Sequence, residues 1–199
     1  LDGLGLDGMA LARKAGIDPA LFGVVESGIL VREIVQLWEL AVAESGDAAI
    51  GLRAAQSFRP SSMDATGYAM MSSPTLMAAL ERAVRYVGAL TSASSARLIR
   101  TDAGHCLEIN LMTGIIDVQR QNHEFVLFCT LKFLRWIAGQ DLVPTRVEFM
   151  HPKPSDTTIY ADAFGIPPMF NASHLALSFS EDDVARVLIT ANAQLAPVH

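Results

Sequence analysis

The stretch VPTRVEFMHPKPSDTTIYADAFGIPPMFNASHLALSFS, residues 143–180, decides the fold. Val147 and Phe149 alternate with Arg146 and Glu148, the period-two pattern of a half-buried strand. His151-Pro152-Lys153-Pro154 ends it, because a proline has no N–H for a ladder and restricts the residue before it. Ser155 is placed to cap a short helix carrying Tyr160 and Phe164 on one side, and Gly165 to close it in the left-handed region. Pro167-Pro168 blocks further helix, and Leu175, Leu177 and Phe179 then alternate with Ala176 and Ser178 as a second strand. The order is strand, short helix, strand.

The neighbouring segments supply partners for these strands. Upstream, residues 123–138 form a helix with Asn122 as its expected cap. It is apolar on most sides through Phe125, Val126, Phe128, Cys129, Phe133, Trp136 and Ile137, as a helix in the middle of a domain is. Before it, residues 96–101 and 105–112 flank Asp102-Ala103-Gly104 as a hairpin. Leu107, Ile109 and Leu111 face one side, and Cys106, Glu108 and Asn110 the other. Ser73 as N-cap and Pro74 at the first helical position start a helix reaching about Leu90, with Leu76, Leu80, Val84, Val87 and Leu90 as its buried stripe. Further upstream, residues 31–44 repeat apolar side chains at three- and four-residue steps, and Asp47 caps a helix over 48–57. Downstream, Ser180 with Asp183 reads as a helix start, and Val184, Val187, Leu188, Ala191 and Leu195 as a helical seam. The resulting fold class is α+β, helices packed around a small, mainly antiparallel sheet.

Two parts of this pattern resemble the N-terminal effector domain of AraC/XylS-type transcription regulators, in the branch called arabinose-binding. One is the strand, His-Pro-x-Pro, helix, Phe-Gly-x-Pro, strand order built on His151–Pro154 and Phe164–Pro167. The other is G-Y-A-x-x-S-S-P-T-L over residues 67–76, followed by a helix carrying Arg85-Tyr86. Leu37-Trp38-Glu39-Leu40, Gly46-Asp47 and Phe58-Arg59-Pro60 extend the resemblance over nearly the whole chain from Leu11. It implies one effector-sensing and dimerisation domain over residues 1–199, a small cytoplasmic metabolite as effector and a homodimer. It also implies a helix-turn-helix DNA-binding module beyond residue 199. Members of this branch also resemble regulators of amino-acid metabolism.

Composition agrees with that division of labour. With 199 residues, 15 Lys and Arg against 21 Asp and Glu, and a formal net charge of −6, the chain lacks the clustered basic surface of a nucleic-acid reader. Residues of hydrophobic type make up 51% against 18% charged, which suits a dense core with an apolar pocket or interface. No apolar run reaches the length of a membrane span, and the first residues lack a signal-peptide layout, so a cytoplasmic protein is expected. Leu1 in place of an initiator methionine suggests a piece of a longer chain. Gly3-Leu4-Gly5-Leu6-Asp7-Gly8 has the letters of a dinucleotide loop but no preceding strand.

No nucleophile elbow, Walker loop or H-E-x-x-H occurs, the five histidines lack ligand spacing, and neither an enzyme nor a cofactor or metal is expected. Cys129 with His123 or His151 would be the nucleophile and base of a small hydrolase-like enzyme, but Cys129 reads as a buried apolar residue and His151 as a histidine satisfying local backbone. Polar groups on apolar elements are the better ligand candidates. These are Tyr68, Arg97, Asn110 and His123, with Arg100, Glu108 and Glu124 nearby. Dimerisation is assigned to Val184, Val187, Leu188 and Ala191, whose apolar stripe lies close to where a DNA module would attach. A ligand-free oligomerisation domain is the alternative of another class.

Overall fold

The computed structural model describes residues 1–22, 29–59, 65–90, 94–111 and 120–190. These run through α1 (Gly8–Lys14), α2 (Val31–Ser45), α3 (Ile50–Gln56), α4 (Ala65–Met71) and α5 (Leu76–Leu90). The hairpin β1 (Ser94–Thr101) and β2 (Gly104–Leu111) follows, then the long α6 (Arg120–Ala138). The stretch quoted above gives β3 (Arg146–Glu148), α7 (Thr158–Phe164) and β4 (Leu175–Phe179), and the one-turn α8 (Glu181–Val184) follows directly. The four strands pair antiparallel in the order β1-β2-β4-β3, so the class is α+β as the sequence implies.

Register follows from burial. Leu98 lies opposite Leu107, and Leu107 opposite Leu177, which faces Val147 on the far strand. This apolar row looks toward the helices, and each fully buried Leu or Phe side chain in such a row contributes about 1.5–3 kcal/mol. The alternate residues form the outer face, where Arg97 Nη2 meets Glu108 Oε2 at 2.6 Å and Arg146 Nη2 meets Glu148 Oε1 at 2.8 Å. Gly104 is needed where the hairpin meets β4. Its φ is +133°, and a Cβ there would stand 2.1 Å from the Phe179 carbonyl oxygen.

The His-Pro-x-Pro loop and the segment after α7 fold back on each other. Phe149 N–H donates to the Met169 carbonyl and Met169 N–H to that of Val147, both at 2.8 Å, which covers the outer edge of β3. Phe149 packs edge-on against Tyr160 and Phe164, with centroids 5.7 Å away in each case, and stacks on Phe170. Arg135 on α6 closes the far end of α7. Its Nη1 and Nη2 donate to the carbonyls of Ala163 and Phe164 at 2.8 and 3.0 Å, and Gly165 takes the left-handed position. A guanidinium thus holds helix carbonyls that have no partner within the helix.

Several caps and one whole element differ from expectation. Thr75, not Ser73, caps α5 by accepting from Ala78 N–H, because the Ser73 hydroxyl is turned back onto the Ala69 carbonyl. Asn122 lies inside α6, which starts at Arg120, and accepts from Trp38 Nε1 at 3.3 Å. Asp156 rather than Ser155 takes the Thr158 N–H at the start of α7. The seam at the end is the larger correction. Ser180 does cap α8, but the helix stops at Val184 and residues 185–190 continue as a non-helical strap, joined to Thr75 by a single bridge at Val187. Tertiary partners take the hydrogen bonds a longer helix would have made. Leu76 N–H donates to the Arg186 carbonyl, Leu188 N–H to that of Pro74 and Ile189 N–H to that of Ile137. Val184 and Leu188 therefore enter this chain's own core, Val187 points outward, and Ala191 lies outside the described residues. No helix among the described residues is long and apolar enough to cross a membrane.

Candidate effector pocket

Between the inner face of the hairpin and the helices lies a cavity of about 470 Å³. Its floor is Ala96, Leu107, Ile109 and Leu111, side chains that the pleat turns to one side. One wall is α6, which presents Phe125, Val126, Cys129, Thr130, Phe133 and Leu134. Met70 of α4, Ala83 and Val87 of α5, Phe58 and Ser94 complete it. The i, i+4 and i+8 spacing of Phe125, Cys129 and Phe133 comes from a single face of α6. Burial pushes the Cys129 thiol up to about 12, so this cysteine stays a neutral lining group and is no nucleophile. An open cleft of about 540 Å³ between α2, α3 and α6 shares Phe58 and Phe125 with the cavity.

The opposite face of α6 carries charge into the interior. Glu124 is fully buried, and its Oε1 accepts from Arg120 Nε at 2.7 Å and from the Tyr160 hydroxyl, which itself accepts from Arg120 Nη2 at 3.0 Å. His151 Nδ1 lies 2.9 Å from the Pro152 carbonyl, so it carries the proton and leaves the lone pair on Nε2, which is 3.7 Å from Glu124 Oε1. Glu124 Oε2, His151 Nε2 and His123 Nδ1 are buried with no hydrogen-bond partner. Burial pushes the Glu124 carboxyl above the usual range, against the pull of Tyr160 and Arg120, and holds His123 and His151 down to about 4.

None of the four ligand candidates read from the sequence lines the cavity. Arg97 and Asn110 do come together, but on the outer face of the sheet. There they border a groove of about 240 Å³ with Glu108 and His174. Tyr68 is 63% exposed on α4, and His123 is buried at the start of α6. The pleat explains Arg97 and Asn110, since their odd and even positions on antiparallel partners share the face away from the helices. The lining was legible as an apolar helix over an apolar strand face, a pattern that otherwise signals only core. The Glu124 network had one signal, a Glu four residues after Arg120 on a helix apolar nearly all round.

Three comparisons bear on this geometry. The profile of the family described as the arabinose-binding domain of AraC transcription regulator, N-terminal, matches residues 5–188. The chain belongs to this family. As a member of the arabinose-binding-domain family it is an effector-domain segment of an AraC-type transcription regulator, and the family is not one of enzymes. It is 26% identical over 190 residues to the ornithine utilization regulator of Pseudomonas aeruginosa, covering 94% of this chain and 56% of that protein. The crystal structure of the transcriptional regulator CdpR from Pseudomonas aeruginosa shares the fold, with a TM-score of 0.69 at 18% identity, over 96% of this chain and 57% of that one. The chain thus spans a little over half the length of these relatives.

Proposed function

We propose that this domain senses a small cytoplasmic metabolite in the cavity between the hairpin and α6, and so controls a DNA-binding module that follows residue 199. The observation that carries the reading is the cavity itself, about 470 Å³ and walled on one side by the helix that also anchors the chain's exit. Ile189 N–H is bonded to the Ile137 carbonyl, and Arg186 Nη1 reaches Asp141 Oδ2 at 2.9 Å just past the end of α6. A ligand that binds one arrangement of α6 better than another shifts the balance between them, and the strap carries the shift to whatever follows. The regulator works as a homodimer, and Val187 and Ile189, each 72% exposed on the strap, are two apolar groups that a second copy would cover.

The test is a promoter reporter driven by the full-length protein, with the cavity filled by Val126→Phe. Response to the native inducing growth condition should be lost, while protein level and DNA binding without inducer persist. A variant that responds normally would sink this site assignment.

A further inference from the structure

The chemistry of the lining says what class of molecule fits. This step rests on the reading that the cavity is the effector site. Among the described lining residues the sole ionisable group is Cys129, held as a neutral thiol. The Thr130 hydroxyl already donates to the Val126 carbonyl at 2.8 Å, which leaves Ser94, at the start of β1, as the one other hydroxyl. Five charged groups of α6 and the hairpin, among the described residues, are engaged elsewhere. Lys132 Nζ donates to the carbonyls of Ala55 and Gln56, Glu124 faces α7 with Arg120, and Arg97 and Glu108 pair across the outer face of the sheet. The backbone of β2 is paired with β1 along its length and with β4 over residues 105–109, and that of α6 is bonded within its own helix.

We propose that the effector is a neutral, predominantly hydrocarbon molecule, aromatic or alkyl, carrying at most one or two polar atoms. A polyhydroxylated sugar would bring more hydroxyls than the described lining residues can bond. A diamino acid would bring three charges with no counter-charge among the described lining residues. Either would give up its water for unpaired burial, the most unfavourable transfer a pocket can ask for. An apolar molecule gives up little and gains the contact of seven aliphatic and aromatic side chains on α6 and β2. The names attached to the family and to the ornithine-related relative therefore do not transfer to this cavity.

The experiment uses the full-length protein and N-phenyl-1-naphthylamine, a neutral aromatic probe that fluoresces when removed from water. It should bind saturably at one site per chain and raise the melting temperature. Affinity should fall at least ten-fold in Val126→Phe and in Ala83→Leu, two fillings from different walls, and be unchanged in Arg97→Ala. L-ornithine and L-arabinose at millimolar concentration should neither displace the probe nor shift the melting temperature. A shift by either compound that the filled variants abolish would overturn the ligand class and leave the site standing. A shift abolished by Arg97→Ala would move the site to the outer groove and overturn both. Probe binding undiminished in folded filled variants, or no binding of any of the three compounds, would overturn the site itself.

Discussion

Glu124, His123 and His151 show what single residues contribute here. The two histidines are buried neutral, and the unfolded chain would protonate each near 6.5 while the folded chain does so only near about 4. A depressed folded value means that the stabilising contribution is complete above 6.5 and is lost as pH falls toward 4, by about 3 kcal/mol per histidine over the full range. Glu124 acts in the opposite sense, because its raised carboxyl lets the folded state take a proton before the unfolded one. Arg120 and His123 face His151 and oppose its charging, and with two histidines against one carboxyl the domain should lose stability on acidification. Urea denaturation at pH 7.5 and 4.5 checks this. Wild type should lose about 2 kcal/mol more than His151→Gln over that interval, and parallel losses would show that His151 does not carry the effect. Little of this could be seen beforehand. His151 reads as a histidine serving its own backbone, which it does, but the carboxylate it faces comes from a helix that no local pattern ties to it.

At the scale of elements, the strand, short helix and strand within residues 143–180 lie where the prolines and Gly165 put them. So do α2, the hairpin with its two faces, and the burial of α6 nearly all round. What was illegible is whatever depends on a partner distant in sequence. Thr75 outcompetes Ser73 as a cap because α4 supplies Ser73 with another acceptor, and the seam after Val184 became a strap because Pro74, Leu76 and Ile137 offer its backbone partners. A four-residue helix has little stability of its own to resist that. The crossing of α3 and α6 gives a prediction of the same kind. Gly51 lies so near α6 that a Cβ would come within 2.2 Å of the Gln121 carbonyl oxygen, which is backbone and cannot step aside. Gly51→Ala, which would favour an isolated helix by about 1 kcal/mol, should instead destabilise the domain by about 2 kcal/mol or more. Thermal denaturation reads the sign, and an increase in melting temperature would refute the close approach.

For the whole molecule, the cavity between sheet and α6 also has a mechanical meaning. Apolar space that water fills poorly in the folded chain and that unfolding gives up makes the unfolded state the smaller one, so hydrostatic pressure drives the protein toward it. The part of this pocket of about 470 Å³ that stays dry should add to the magnitude of the unfolding volume, within the usual range of about −20 to −100 mL/mol. Val126→Phe returns part of that space to side chain, so its unfolding volume should be smaller in magnitude, whatever it does to heat stability. High-pressure fluorescence of Trp38 and Trp136 would follow both proteins, and equal volumes would mean that the cavity does not persist in solution. The domain's capacity to hold a guest and its volume of unfolding are thus two readings of one space, measured once by a ligand and once by a piston.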